Sequence, residues 1–184
     1  YLVFREGSAW SASPDAVEAV CHRTRGVGSD GIVVLLANHE IDGFRLRMFN
    51  PDGSEFERSG NGLRILASYL EREGFVGHAP FAVEVGGSRV EMTVHAVRGA
   101  TYDVSVDMGR CHVGPSGIGL DAGALDGRGR LEGPDGEPLY IVPVSVGNPH
   151  LVTIVPDATE ESLERLGRFL VGHPALSDGA NVQL

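Results

Sequence analysis

Two cysteines in 184 residues are too few for a disulfide framework, and they show no metal-ligand spacing. Basic side chains are also scarce: 15 Lys and Arg stand against 25 Asp and Glu, for a net charge of -10. That balance disfavours nucleic acid, because binding phosphate needs clustered Lys or Arg. Only Arg23 with Arg25, Arg45 with Arg47 and Arg128 with Arg130 form close basic pairs. No apolar run is long enough to span a bilayer. The opening Tyr1-Leu2-Val3-Phe4-Arg5 has neither the basic n-region nor the apolar h-region of a secretory signal. The expectation is a cytoplasmic protein with no nucleic-acid and no membrane partner. His22, His39, His78, His95, His112 and His173 give no metal-ligand spacing either, so no metal is expected.

What is present is ordinary globular material, 42% hydrophobic and 22% charged, enough for one large domain or two small ones. Residues 1–4 read as a strand. Ser13-Pro14-Asp15 supplies an N-cap, a proline at the first helical position and an acidic first turn. It predicts a helix to about Thr24 with Ala16, Val17, Val20 and Cys21 on one face. Cys21 is therefore expected to be a buried structural thiol, and Cys111 structural or incidental. A Gly-rich loop, 26–31, leads to a strand over 32–36, and residues 44–49 alternate as a half-buried strand does.

Further strands are expected over 81–85, 89–94, 102–107, 139–146 and 151–155. A helix is expected over 160–169 with Thr159 as N-cap, and the Gly- and Pro-rich stretch 114–138 reads as loop. Strands, one buried helix and then strands again argue for an α+β fold with antiparallel or mixed sheets. A boundary falls near 110, giving domains 1–110 and 111–184. Both ends read as strands in progress, so a fragment of a longer protein, lacking both termini, is expected.

The chemistry concentrates in Asn50-Pro51-Asp52-Gly53-Ser54-Glu55 and Ser59-Gly60-Asn61-Gly62, followed by an apolar helix over about 61–73 with Gly74 just past its end. Leu63, Ile65, Leu66, Ala67, Tyr69 and Leu70 carry apolar surface most of the way round it, which predicts burial inside the fold. A helix N-terminus offers unpaired N–H groups and partial positive charge, and glycines let a ligand come close to that backbone. A carboxylate, a phosphate or a developing oxyanion suits such a site. Gly60-Asn61-Gly62 also reads as a plain strand-to-helix turn.

These motifs, taken in order with Gly26-Val27-Gly28-Ser29-Asp30-Gly31, Val106-Asp107-Met108-Gly109, Val146-Gly147-Asn148-Pro149-His150, His173-Pro174 and Asn181-Val182, resemble the diaminopimelate epimerases. These are cofactor-independent amino-acid racemases and epimerases. The resemblance implies two pseudo-symmetric domains, each with strands wrapped around a central helix, the second incomplete here for want of its helix and so unable to close a full core. It implies no cofactor, diaminopimelate as the small-molecule partner, and leaves a homodimer open. In that family a cysteine opens each central helix. One thiolate removes the α-proton and the opposite thiol returns a proton to the other face, which is what inversion requires.

This chain carries Ser59 where the first of those cysteines falls. The resemblance places the second cysteine, with an acidic–basic pair, beyond Leu184 and a further substrate-binding Asn before Tyr1. A serine hydroxyl is scarcely ionised at neutral pH, and no His or Lys adjoins it in sequence as an activating base. Ser59 therefore reads either as a water holder, a hydrogen-bond partner of the substrate or a weak proton donor, or as an N-cap. By the same resemblance Asn50 binds the amino-carboxylate end of the substrate, and the backbone of Gly60 and Asn61 holds its carboxylate. Asn148 and Asn181 bind the distal end, and His150 positions or tunes the acid–base pair. Each has a structural alternative as a turn, strand-end or strand-start residue. Three functions remain in competition: stereoinversion of L,L-diaminopimelate to the meso form in lysine and peptidoglycan synthesis, a hydroxyproline dehydratase-like lyase, and an amino-acid-binding paralogue without turnover.

Overall fold

The computed structural model describes residues 1–37, 43–177 and 179–184; His39 lies outside them. It divides into two compact units, Tyr1–Met108 and Gly109–Leu184.

The N-terminal unit contains β1 (Leu2–Arg5), α1 (Pro14–Cys21), β2 (Ile32–Leu35), β3 (Phe44–Phe49), β4 (Glu55–Phe56), α2 (Gly60–Arg72), β5 (Phe81–Val85), β6 (Ser88–Arg98) and β7 (Thr101–Val106). Six strands run in the order β1-β2-β3-β5-β6-β7, with β4 paired to β3. The sheet is mixed: β1 with β2 and β3 with β5 are parallel, the other pairs antiparallel. Both outer strands, β1 and β7, touch α2, so the sheet curls round that helix. Leu63, Leu66, Ala67 and Leu70 of α2 bury against Val33, Leu35, Leu46, Met48, Val83, Val90, Met92 and Val94.

The burial of α2 is one-sided. Gly62, Leu63, Leu66, Ala67 and Leu70 are buried, while Ile65 is 38% exposed. The all-round burial expected from composition gives way to an amphipathic helix, because the curled sheet covers only the side that recurs every three to four residues. The helix ends as its sequence requires. Gly74 takes φ +75°, its N–H bonds Glu71 O, and the Phe75 N–H bonds Leu70 O, the paired closure of a Schellman motif. The first helix is shorter than expected, ending at Cys21 rather than Thr24. The His22 ring accepts the Thr24 and Arg25 N–H groups at Nδ1 and holds them in a turn instead. Val17 and Cys21 of α1 pack with Ile32, Val34 and Phe49 in a separate small core on the other side of the sheet.

The C-terminal unit contains β8 (His112–Val113), two short 3-10 turns at Pro115–Ile118 and Ala122–Ala124, β9 (Arg130–Glu132), β10 (Pro138–Ser145), β11 (Pro149–Ile154), α3 (Glu160–Val171) and β12 (Asn181–Gln183). The sheet order is β12-β11-β10-β8, with β9 on β10. Helix α3 starts with a reciprocal cap: Thr159 Oγ1 accepts the Ser162 N–H, and Ser162 Oγ accepts the Thr159 N–H. Leu166 and Leu170 pack on Leu151 and Ile141.

The stretch 114–138 departs from the plain loop expected of it. Ile118, Leu120 and Leu131 from it enter this core, and Leu131 is 1% exposed. The core is closed on one face of the sheet; on the other, Tyr140 and Ile154, directly paired across β10 and β11, are 54% and 66% exposed. Among the described residues no helix is long and apolar enough to cross a membrane, which says nothing of strands.

Candidate active site

In the N-terminal unit the candidate residues sit on two turns flanking β4. The first closes on itself. The Asn50 N–H bonds Ser54 O at 2.8 Å, and the Gly53 N–H bonds Asn50 O at 3.0 Å. The Asn50 carboxamide Nδ2 donates to Ser54 Oγ at 3.0 Å, and Ser54 Oγ donates to Asp52 Oδ1 at 2.6 Å. That hydroxyl, with the Ser54 amide, holds the Asp52 carboxyl below the usual carboxylate range. Asn50 is thereby fixed with its Oδ1 uncommitted among the described contacts. Gly53, at φ +82°, lies so close to α1 that a Cβ would come 2.5 Å from Pro14 Cα. At this position glycine is required both by conformation and by space.

The second turn opens α2. Ser59 is its N-cap: extended at φ -134°, with Oγ accepting the Gly62 N–H at 3.3 Å and its carbonyl accepting the Leu63 N–H at 2.9 Å. This settles where the hydroxyl points, and it is the role that a serine before a helix most often takes. Neither a histidine nor a carboxylate bonds Ser59 among the described residues. Above the cap the N–H groups of Gly60 and Asn61 have no protein partner among the described residues. The Asn61 side chain is turned to Arg64, whose Nη2 donates to its Oδ1 at 2.6 Å. A Cβ on Gly60 would meet only Met108, at 3.6 Å, an ordinary contact, so packing within the unit does not demand glycine there. Gly62 is different: a Cβ would press on Met48 Cε at 3.1 Å and on the Tyr1 ring at 3.4 Å.

Two neighbours were not anticipated. Arg47 grips Glu55 with Nε and Nη2, at 2.9 and 2.6 Å, and holds its carboxyl below the usual range. Arg58, just before Ser59, has a buried Nε without a hydrogen-bond partner in the described structure. Ser29 of the Gly-Ser-Asp-Gly loop is consumed by the turn itself, its Oγ donating to Gly31 O at 2.7 Å. Cys21 is buried, and burial pushes its thiol up; Cys111 is exposed.

In the C-terminal unit Asn148, His150 and Asn181 come together. Val146-Gly147-Asn148 is the turn between β10 and β11, with Gly147 at φ +100°. The parallel β12 places Asn181 opposite His150. Asn181 Nδ2 donates to Pro149 O at 3.1 Å, leaving its Oδ1 as an acceptor. The His150 ring lies between two amides: Nε2 is 3.1 Å from Asn148 Oδ1, and Nδ1 is 3.0 Å from Gln183 Nε2. Gln183 was not foreseen, although it follows Asn181 by two in a strand and so shares its face. The described residues contain no group of His, Cys, Asp and Glu fit to hold a metal.

A curled mixed sheet around one capped helix is a fold shared with epimerases and racemases. A sequence profile named Diaminopimelate epimerase matches residues 5–113. Diaminopimelate epimerase 2 of a Nostoc species is 35% identical over 189 residues, covering 100% of this chain and 64% of its own length. The diaminopimelate epimerase of Desulforudis audaxviator is 35% identical over 164 residues, 89% of this chain and 58% of the relative. The chain belongs to the diaminopimelate epimerase family, and it spans about three fifths of the length of these curated relatives. In fold it resembles a Pseudomonas aeruginosa protein described as a predicted epimerase, with a TM-score of 0.57 and 22% identity over 89% of this chain and 55% of that one. It also resembles a hydroxyproline epimerase from Agrobacterium vitis, with a TM-score of 0.54 and 15% identity over 84% of this chain and 42% of that one.

Proposed function

We propose that the protein acts on diaminopimelate, moving the α-proton so that the L,L and meso forms interconvert. The reaction would run in the cytoplasm, without a cofactor, as a step toward lysine and peptidoglycan. The observation that carries this reading is the start of α2, where the Gly60 and Asn61 N–H groups are open and no packing requires a glycine at 60. A carboxylate seated on those two donors is stabilised as it gains enolate character when the α-proton leaves. Asn50, held by Ser54, adds an acceptor for the substrate ammonium. In the C-terminal unit Asn181 Oδ1 accepts and Asn148 Nδ2 donates, a pair suited to a second ammonium and carboxylate. A substrate with an amino acid at each end carries groups of both kinds.

Ser59 favours a second reading, binding with little turnover. Its hydroxyl is engaged as a helix cap and bonds no base among the described residues. The deciding experiment incubates the full-length protein with L,L-diaminopimelate in heavy water and follows deuterium entry at the α-carbon. Slow exchange is expected, accelerated roughly a hundredfold by Ser59→Cys, the lower end of what a competent acid–base group contributes. Absence of exchange from both proteins, with calorimetric binding intact, would establish the binding reading. Loss of water from a hydroxyproline would move the assignment to a lyase.

A further inference from the structure

The ring of His150 is flanked on both sides by carboxamides, and a carboxamide dictates what it faces. Asn148 Oδ1 can only accept, so the ring nitrogen opposite it, Nε2, must carry a proton. Gln183 Nε2 can only donate, so Nδ1 must be bare. The two contacts, at 3.1 and 3.0 Å, are mutually consistent and describe one neutral tautomer. The reverse orientation of Gln183 would turn its NH2 into the buried spot that Oε1 occupies, where no partner is found among the described residues. An unpaired buried N–H is rarer in proteins than an under-satisfied carbonyl, so the orientation with the amide nitrogen toward His150 is the cheaper one.

We infer that Gln183 is a positioning residue that fixes His150 in its Nε2–H tautomer and, through it, turns the amide nitrogen of Asn148 outward. The inference rests on the reading of Asn148 as a substrate ligand. Bond by bond, the relay runs from Gln183 N–H to His150 Nδ1, and from His150 Nε2–H to Asn148 Oδ1. With one lone pair of its oxygen engaged and its NH2 turned outward, Asn148 favours a carboxylate over an ammonium. Asn181, with one N–H of its amide held by Pro149 O, turns its oxygen the other way and favours an ammonium. The register makes the relay: β12 runs parallel to β11, so Asn181 faces His150 and Gln183 faces Val152, one step along the same side of the sheet.

The test is the tautomer itself. Two-bond 1H–15N correlation spectra of the 15N-labelled chain at alkaline pH, where imidazoles are neutral, report which ring nitrogen of each histidine bears the proton. The His150 signals are assigned by their loss in His150→Ala. The wild-type chain is expected to show the Nε2–H form. Gln183→Glu places an acceptor where the donor was, and is expected to reverse the ring to Nδ1–H. Gln183→Met is expected to leave a mixture. A wild-type Nδ1–H ring, or a ring unmoved by Gln183→Glu in a chain whose other amide signals are unchanged, would overturn the inference. No substrate enters the measurement, so its failure is separate from failure of the epimerase reading. In the full-length protein, Gln183→Glu is expected to raise the KM for diaminopimelate about tenfold, one wrongly presented amide being on the order of a single charge-assisted bond.

Discussion

The two units solve the burial problem differently. The N-terminal unit curls a sheet around α2 and fills the space between them, from Val33 and Met48 to Leu66 and Met92, with side chains almost wholly removed from water. The C-terminal unit seals one sheet face with α3 and the 115–131 turns, and leaves Tyr140 and Ile154 exposed on the other. Their candidate residues differ to match. In the first, the open groups are backbone amides at the start of the central helix. In the second, they are side-chain amides in a relay beside the sheet. Main-chain donors keep their direction as long as the helix stands, whereas side-chain donors need neighbours such as Gln183 to orient them.

Core truncation should separate the units most sharply. Leu66→Ala, in the fully enclosed core, is expected to cost about 4 kcal/mol, and Leu151→Ala, beside a more open sheet that can relax into the gap, nearer 2.5 kcal/mol. Urea unfolding followed at probes in each unit checks both values; equal costs would mean that the C-terminal core is as unyielding as the first. Glycine substitutions probe function against architecture within one unit. Gly53→Ala should destabilise by roughly 3 kcal/mol through φ strain and collision with Pro14. Gly60→Ala should stay within about 0.5 kcal/mol and instead abolish diaminopimelate binding by calorimetry. Stability loss at Gly60 without loss of binding would remove the ligand role from that turn.

Acid offers a gentler comparison. Arg130, donating from both side chain and backbone, holds Asp126 down from 3.8 to about 2. Because its folded value lies below its unfolded one, the stability it lends is present above pH 3.8 and is lost as pH falls through about 2. Asp126→Asn is expected to flatten the pH dependence of C-terminal unfolding in that window. The N-terminal carboxylates held low by Ser54 and Arg47 should keep their own dependence. The smallest effect belongs to the exposed pair Arg168–Glu164 on α3, whose removal by Arg168→Ala should cost about 0.3 kcal/mol in thermal unfolding.

Much of this architecture can be read from residue order. Alternation marks β3 at its observed bounds, Phe44–Phe49, and the caps Ser13, Ser59 and Thr159 mark the starts of all three described helices. What escapes is whatever depends on distant partners. Ile118, Leu120 and Leu131 are scattered among glycines and carry no period, so only the packed unit reveals them as core. Ile65 is as apolar as Leu66, yet the curl of the sheet covers one and leaves the other open. The site divides in the same way. The sequence around Ser59 offers the cap as one of two readings, but the clamp of Gln183 on His150 spans 33 positions and exists only through strand pairing.

The contact between Gly53 and Pro14 joins a candidate substrate turn to the start of a helix nearly forty positions earlier in the chain. Its consequence is heritable. Any lineage that enlarges one of these residues must reshape the other in step, so across a deep set of homologues the two columns should change together or not at all. A designer wishing to remodel the Asn50 turn therefore inherits the first turn of α1 as part of the same unit of variation.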